Sequence, residues 1–156
     1  MTIQRKIYIS VSWLLVVICM GIIYFLSAQN GEESTELSHS FVLAFFERLG
    51  ITINEGFLRN CAHCLEFTGL SVLIFNAVYV TFEAKLTPII AFVGTVLYAI
   101  TDEIHQIFVP DRAFQLFDIL IDSTGALIGV IASLIIFEII LTIKERRNKN
   151  GSIKTI

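Results

Sequence analysis

Four long runs of apolar residues dominate the pattern of hydrophobic and polar positions along the chain. They cover about residues 7–27, 58–82, 86–108 and 114–143, and the first of them carries no charged side chain. A helix needs about 20 residues to cross the hydrocarbon core of a bilayer, so each run is long enough to span a membrane. The pattern therefore predicts an all-α, polytopic membrane protein with four transmembrane helices.

The composition agrees with this class of protein. Of the 156 residues, 55% are hydrophobic and only 16% are charged, whereas a soluble domain carries about 25% charged residues. We predict a single membrane domain over residues 1–156, with a tail over residues 144–156. The first apolar run is longer than the core of a signal peptide and lacks a convincing cleavage site, so we expect it to be retained.

Basic residues are distributed unevenly between the two sides of the predicted membrane. One side carries the basic pair at residues 5–6, Lys85 and the basic tail, whereas the other side has three arginines and several glutamates. Because short loops rich in lysine and arginine remain in the cytoplasm, we predict that both termini are cytoplasmic. The connection over residues 29–57 is then outside the cell membrane.

This outer connection contains the stretch STELSHSFVLAFFERLG. Its apolar residues and scattered acids fit an interfacial helix between the first two spans, which we include in the predicted fold. A plain packed loop helix fits the pattern equally well. We interpret His39, within this stretch, as a solvated surface histidine.

Polar and ionisable side chains within the spans gather at the outer ends of the helices, whereas the inner halves are almost purely apolar. On insertion scales an ionisable side chain at mid-bilayer costs about 2.5–3.5 kcal/mol, so such residues indicate a functional site. We predict that they share a pocket open to the outer face. The candidates are Ser27, Gln29, Arg59, His63, Glu66, Asp102, Glu103, His105, Gln106, Arg112, Asp118 and Asp122.

The sequence also contains a C-x-x-C motif, Cys61 and Cys64, that at first reading resembles a metal or redox site. At about 100° per residue, Arg59, His63 and Glu66 share one narrow stripe of the second helix, and both cysteines point elsewhere. The motif also lacks the βαβ context of a redox site. We therefore interpret the cysteines as small packing residues.

One stripe of the fourth helix combines Asp118 and Asp122 with Gly125 and Gly129. Small residues allow transmembrane helices to approach closely. We therefore expect the two aspartates to face a neighbouring helix, on the outer side of a glycine contact.

Three stretches of the sequence resemble the VanZ-like family. They are FLSAQ at 25–29, RNCAHCLEF at 59–67 and TDEIHQIFVPDRAFQLFDILIDSTGALIG at 101–129. The last is the most specific, because D-E-x-H-Q is followed by an arginine, an aspartate and glycines at fixed spacing. The resemblance extends over about residues 10–140.

The chain departs from the family pattern at three positions. Cys64, Phe67 and Asp122 stand where phenylalanine, tyrosine and asparagine are common. Asp122 therefore adds a carboxylate. The resemblance implies a cell-envelope membrane protein typical of Gram-positive bacteria, in a family named for a protein that confers low-level resistance to the glycopeptide teicoplanin. A contribution to such antibiotic resistance is what the resemblance implies for this chain.

An enzyme is one class of function that fits the candidate residues. His63 or His105 would act as general base, and a carboxylate would orient its ring. Arg59 and Arg112 would clamp an anionic group, because the guanidinium fork matches phosphate and carboxylate. A lipid-linked cell-wall precursor or a phospholipid presents such a group. In this reading the catalytic candidates are His63, Glu66, Asp102, Glu103 and His105, and the binding candidates are Ser27, Gln29, Arg59, Gln106, Arg112, Asp118 and Asp122.

Other interpretations remain open, and the residues do not decide whether the protein is an enzyme. A divalent metal on the histidines and carboxylates is one variant, although the chain has no strong zinc motif. A binding protein without catalysis would use the same arginines. A purely structural ion-pair network would join Arg59 to Glu66 or Asp102, and Arg112 to Asp118. A transporter fits less well because the polar groups stop halfway through the bilayer. Nucleic-acid binding has no support, since topology and anionic lipid explain the short basic tail.

Overall fold

The computed structural model of the protein describes residues 2–28, 48, 55–110 and 112–153. Four helices contain most of these residues: α1 (Ile3–Ser27), α2 (Glu55–Phe82), α3 (Thr87–Gln106) and α4 (Leu116–Ile153). Each is long and apolar enough to cross a membrane, and the described residues include no strand. The prediction of an all-α protein with four membrane-spanning helices is confirmed. The proposed interfacial helix, His39 and Gln29 lie outside the described residues.

Local signals set the helix ends. α1 begins at Ile3 because the side chain of Thr2 accepts a hydrogen bond from the backbone N–H of Arg5 and caps the helix. α3 has a proline in its first turn, where a missing N–H is tolerated. α4 continues to Ile153, past the end of the apolar run at about residue 143, because Lys, Arg and Glu favour helix formation.

α2 and α4 run parallel and form the most extensive helix pair in the described structure. A Cβ atom added at Gly125 would collide with the carbonyl oxygen of Cys64, and one added at Gly129 would lie 2.5 Å from the carbonyl oxygen of Thr68. The hydroxyl of Thr68 also donates a 3.0 Å hydrogen bond to the carbonyl of Gly125. The predicted glycine contact is therefore present, its partner is α2, and Cys64 lies at the point of closest approach.

α1 packs mainly on α2. Polar contacts hold the N-terminal half of α1 in place. A guanidinium nitrogen of Arg5 lies 2.6 Å from a carboxylate oxygen of Glu83, and the indole N–H of Trp13 donates to the hydroxyl of Thr81 at 3.1 Å. Glu83 closes the α2–α3 turn with a φ of 49°. The start of α1 and this turn therefore occupy one end of the bundle. The candidate residues that are described lie at the other end, which we call the polar end.

Candidate functional site

Two contacts between α2 and α4 organise the polar end. Nη2 of Arg59 lies 3.4 Å from Oδ2 of Asp118, and Nδ1 of His63 lies 4.0 Å from Oδ1 of Asp122. Residues four positions apart lie on the same face of a helix, and the two helices run in the same direction. The second contact therefore repeats the first one turn deeper in the bundle.

His63 lies close to two carboxylates. Its Nδ1 is 3.9 Å from Oε2 of Glu66 and 4.0 Å from Oδ1 of Asp122. Both distances exceed the range of a direct hydrogen bond, and Nδ1 has no hydrogen-bond partner. Arg59, Arg112, Asp102 and Asp118 are also near enough for their charges to act on the ring.

Asp102 joins α3 to α1. Its Oδ2 accepts a 2.7 Å hydrogen bond from the hydroxyl of Ser27 and a 3.2 Å bond from the side-chain amide of Gln106. The residue is only 3% exposed. Its second oxygen, Oδ1, is buried without a hydrogen-bond partner in the described structure. This oxygen can therefore still accept a hydrogen bond.

Glu103 is held from the connection that follows α3. The backbone N–H of Gln115 donates a 2.8 Å hydrogen bond to its Oε2, while Oε1 has no such partner. Glu103 lies at the edge of the α3 face that carries Asp102, His105 and Gln106. It is nevertheless only 1% exposed. The α3–α4 connection folds back and covers it. No signal in the sequence indicates that a backbone donor comes from Gln115.

His105 lies beside α1, apart from the contacts around His63. Its ring packs against Tyr24 with the ring centroids 4.2 Å apart. The described structure contains no hydrogen bond or ion pair between His105 and another candidate residue, and its Nδ1 is buried without a hydrogen-bond partner. Tyr24 was missed by the sequence reasoning, although its position one turn before Ser27 places it at the same end of α1.

Arg112 lies in the connection between α3 and α4, with its guanidinium largely unpaired. Both Nε and Nη1 are buried and have no hydrogen-bond partner among the described residues. Burial lowers the pKa of Arg112, the nearby charge of Arg59 lowers it further, and Asp102, Asp118 and Glu103 oppose this shift. The guanidinium therefore lies among carboxylates without a hydrogen bond from Nε or Nη1 to them.

The arginine pairing expected for a structural network is wrong in its partners. Asp118 contacts Arg59 rather than Arg112, and in the described residues Arg59 forms no ion pair with Glu66 or Asp102. The reason is the register of α2 and α4, in which the glycine contact brings Asp118 level with Arg59.

The model of the VanZ/LLP1 family matches residues 12–138 of this chain. This range covers most of the sequence and every residue of the polar end. The chain belongs to the VanZ/LLP1 family. The resemblance seen in the sequence is thereby confirmed, and together with the four spans it identifies a multi-pass membrane protein. No curated protein and no solved structure matches the chain.

The cysteines of this VanZ/LLP1 chain take no part in the polar contacts described above. Cys19, Cys61 and Cys64 are free thiols. In the described part of the chain, no three His, Cys, Asp or Glu side chains come together in an arrangement that could hold a metal ion.

Acidic groups outnumber basic groups at the polar end of this VanZ/LLP1 protein. Burying a charge is costly unless it is paired and hydrogen-bonded, yet polar atoms of both kinds remain without hydrogen-bond partners. The carboxylates are Glu66, Asp102, Glu103, Asp118 and Asp122, against the guanidinium groups of Arg59 and Arg112. Among the described residues, the buried atoms without hydrogen-bond partners are Nε of Arg59, Nε and Nη1 of Arg112, Nδ1 of His63 and His105, Oδ1 of Asp102 and Asp122, and Oε1 of Glu103.

Proposed function

We propose that this protein binds and acts on an anionic, lipid-linked substrate of the cell envelope, either a cell-wall precursor or a phospholipid. The observation that carries the proposal is the guanidinium of Arg112, whose Nε and Nη1 are buried at the polar end without a hydrogen-bond partner among the described residues. Such a group is suited to bidentate contact with a phosphate or a carboxylate. Arg59, whose Nε is also unused, is close enough for its charge to affect Arg112.

The distribution of basic residues supports an outward-facing polar end. The opposite end carries Arg5, Lys6 and Lys85, which favours a cytoplasmic location for that end. The arginines would then meet the headgroup layer of the outer leaflet. A lipid-anchored substrate diffusing in that leaflet reaches them without leaving the membrane.

In the catalytic form of the proposal, His63 is the general base. It takes a proton from a hydroxyl group or a water molecule held beside the substrate, and Glu66 and Asp122 stabilise the resulting imidazolium. Their oxygens at 3.9 and 4.0 Å from Nδ1 are near enough for strong electrostatic stabilisation in a site of low dielectric constant. Catalytic contacts of this kind are often longer in the free enzyme than in its complex with substrate.

The alternative is a protein without catalysis whose polar end is an ion-pair network. The Arg59–Asp118 contact and the hydrogen bonds from Ser27 and Gln106 to Asp102 favour it. The proposal includes a contribution to glycopeptide resistance in a Gram-positive host. This most specific part of it rests on the family resemblance alone.

Lipid binding separates these accounts. The protein is reconstituted in phosphatidylcholine nanodiscs containing phosphatidylglycerol, and retained lipids are measured by native mass spectrometry. We expect wild type to retain phosphatidylglycerol, Arg112→Gln to lose it, and the exposed Arg48→Gln control to keep it. Absence of retained anionic lipid in wild type would contradict the proposal and leave the structural network.

Catalysis is tested separately on the reconstituted protein. Wild type and His63→Gln are incubated with a polyprenyl-diphosphate-linked precursor or with phosphatidylglycerol, and the lipid products are analysed by mass spectrometry. Turnover by wild type that is lost in His63→Gln, with lipid binding retained, supports an enzyme. Binding without conversion by either protein supports the non-catalytic alternative.

A further inference from the structure

The polar end offers unpartnered hydrogen-bond acceptors as well as unpartnered donors. Asp122 is 2% exposed, and its Oδ1 has no hydrogen-bond partner. The nearest charged neighbour recorded for that oxygen is Nδ1 of His63 at 4.0 Å. The same nitrogen lies 3.9 Å from Oε2 of Glu66. Both carboxylates therefore lie within 4.0 Å of one ring nitrogen, and Oδ1 of Asp122 receives no hydrogen bond from the described chain.

Two further carboxylates also have one oxygen that receives no hydrogen bond. Asp102 and Glu103 are 3% and 1% exposed, and each has one buried oxygen without a hydrogen-bond partner. Donors from Ser27, Gln106 and Gln115 satisfy only the other oxygen. A phosphate alone would satisfy Arg112 but would leave these acceptors without a hydrogen-bond donor.

We propose that the ligand's headgroup carries a primary ammonium as well as a phosphate, as phosphoethanolamine does. The phosphate contacts Arg112 beside Arg59, and the ammonium lies against Asp122 and Glu66. This inference rests on the proposed function and names the substrate class of the same site. An ammonium supplies three N–H donors, so it provides the hydrogen bonds that these buried acceptors lack.

The test is a competition between headgroups. Wild-type protein is reconstituted in phosphatidylcholine nanodiscs containing equal amounts of phosphatidylethanolamine and phosphatidylglycerol, and native mass spectrometry gives the ratio of the two retained lipids. We expect phosphatidylethanolamine to be favoured roughly tenfold, the factor that one charge-assisted hydrogen bond represents. Soluble phosphoethanolamine is tested as a competitor. If it displaces the lipid, the headgroup alone suffices, and if it does not, the membrane-anchored form is the ligand.

Substitutions locate the preference. Asp122→Asn preserves shape and removes the charge, and should bring the ratio close to one, as should Glu66→Gln at a more accessible position. Glu138→Gln, which removes a carboxylate from the exposed, opposite part of α4, should leave the ratio unchanged. The elution profile and thermal stability of each variant in detergent show whether it is folded.

The two proposals fail in different ways. If wild type retains both lipids equally and both are lost in Arg112→Gln, the anion site stands and the ammonium site is refuted. If neither lipid is retained, the proposed function itself fails. A phosphatidylethanolamine preference that survives in both Asp122→Asn and Glu66→Gln also overturns the ammonium site.

Discussion

The hydroxyl of Ser27, the last residue of α1, donates a 2.7 Å hydrogen bond to Oδ2 of Asp102, which lies 75 positions later in the sequence. Both residues are buried. A carboxylate near the end of a membrane helix thus obtains a donor from a different helix. This contact is the most direct polar link between α1 and the residues of the polar end.

Replacing Ser27 by alanine should therefore destabilise the protein. Loss of one hydrogen bond to a charged group is expected to lower the free energy of unfolding by about 1.5–3 kcal/mol. Ser133→Ala is the matched control, because that buried hydroxyl bonds only the carbonyl of Gly129 in its own helix. Unfolding of both variants in mixed micelles by added denaturing detergent gives the comparison. An equal effect at both positions would show that the Ser27–Asp102 link contributes nothing particular.

The glycine contact between α2 and α4 gives a second prediction. Gly129→Ala places a methyl group 2.5 Å from the carbonyl oxygen of Thr68 and 2.8 Å from Cβ of Ser71. The helices must separate, and overpacking of this kind costs about 1–3 kcal/mol. Gly69→Ala is the control, since a Cβ atom there meets nothing within 4 Å. We expect a lower thermal midpoint for Gly129→Ala alone, and similar midpoints for the two variants would contradict the close approach.

The ion pair of Arg59 and Asp118 is tested by a double-mutant cycle. The arginine side chain is 38% exposed, so solvent screening limits the coupling energy to about 0.2–1 kcal/mol. The cycle uses Arg59→Gln, Asp118→Asn and the double variant, with unfolding in mixed micelles as readout. A parallel cycle with Arg112→Gln should give a smaller coupling to Asp118, because the described residues show an ion pair of Asp118 with Arg59 and none with Arg112. A larger coupling with Arg112 would show that the pairing is reversed.

Reporter fusions test the orientation predicted from the basic residues. Alkaline phosphatase is active only outside the cytoplasm, so a fusion after Pro110 should be active and fusions after Lys85 or at the C-terminus should be inactive. Green fluorescent protein at the C-terminus should fluoresce. The reverse pattern would place the polar end in the cytoplasm and would remove the basis for a substrate in the outer leaflet.

The helices and many of the polar residues could be read from the sequence, because both depend on a property of single segments. The length of an apolar run alone decides whether it can span the bilayer. An ionisable residue such as Asp102 costs free energy within a span wherever its partner lies. Gly125 and Gly129 likewise predict a close contact between helices. These features require no knowledge of the three-dimensional arrangement.

The partners within the site could not be read in this way. Whether Arg59 meets Asp118 on α4 or Asp102 on α3 depends on how α2 lies against these two helices, and the backbone contact at Gly125 brings Asp118 level with Arg59. The packing of His105 on Tyr24 depends on how α1 lies against α3. The backbone donor of Gln115 depends on the path of a short connection. Each is a relation between segments, and hydropathy describes each segment alone.

The bonds of the two neighbouring acids on α3 have a consequence for the order in which the protein is built into the membrane. Asp102 takes its donor from Ser27, which is synthesised 75 residues earlier, whereas Glu103 takes its donor from Gln115, synthesised 12 residues later. When α3 enters the bilayer, α1 can already supply one partner, but Glu103 has none until the chain leading into α4 emerges from the ribosome. We therefore expect the last two spans to insert as a pair, and a chain truncated before residue 115 to leave α3 poorly held in the membrane.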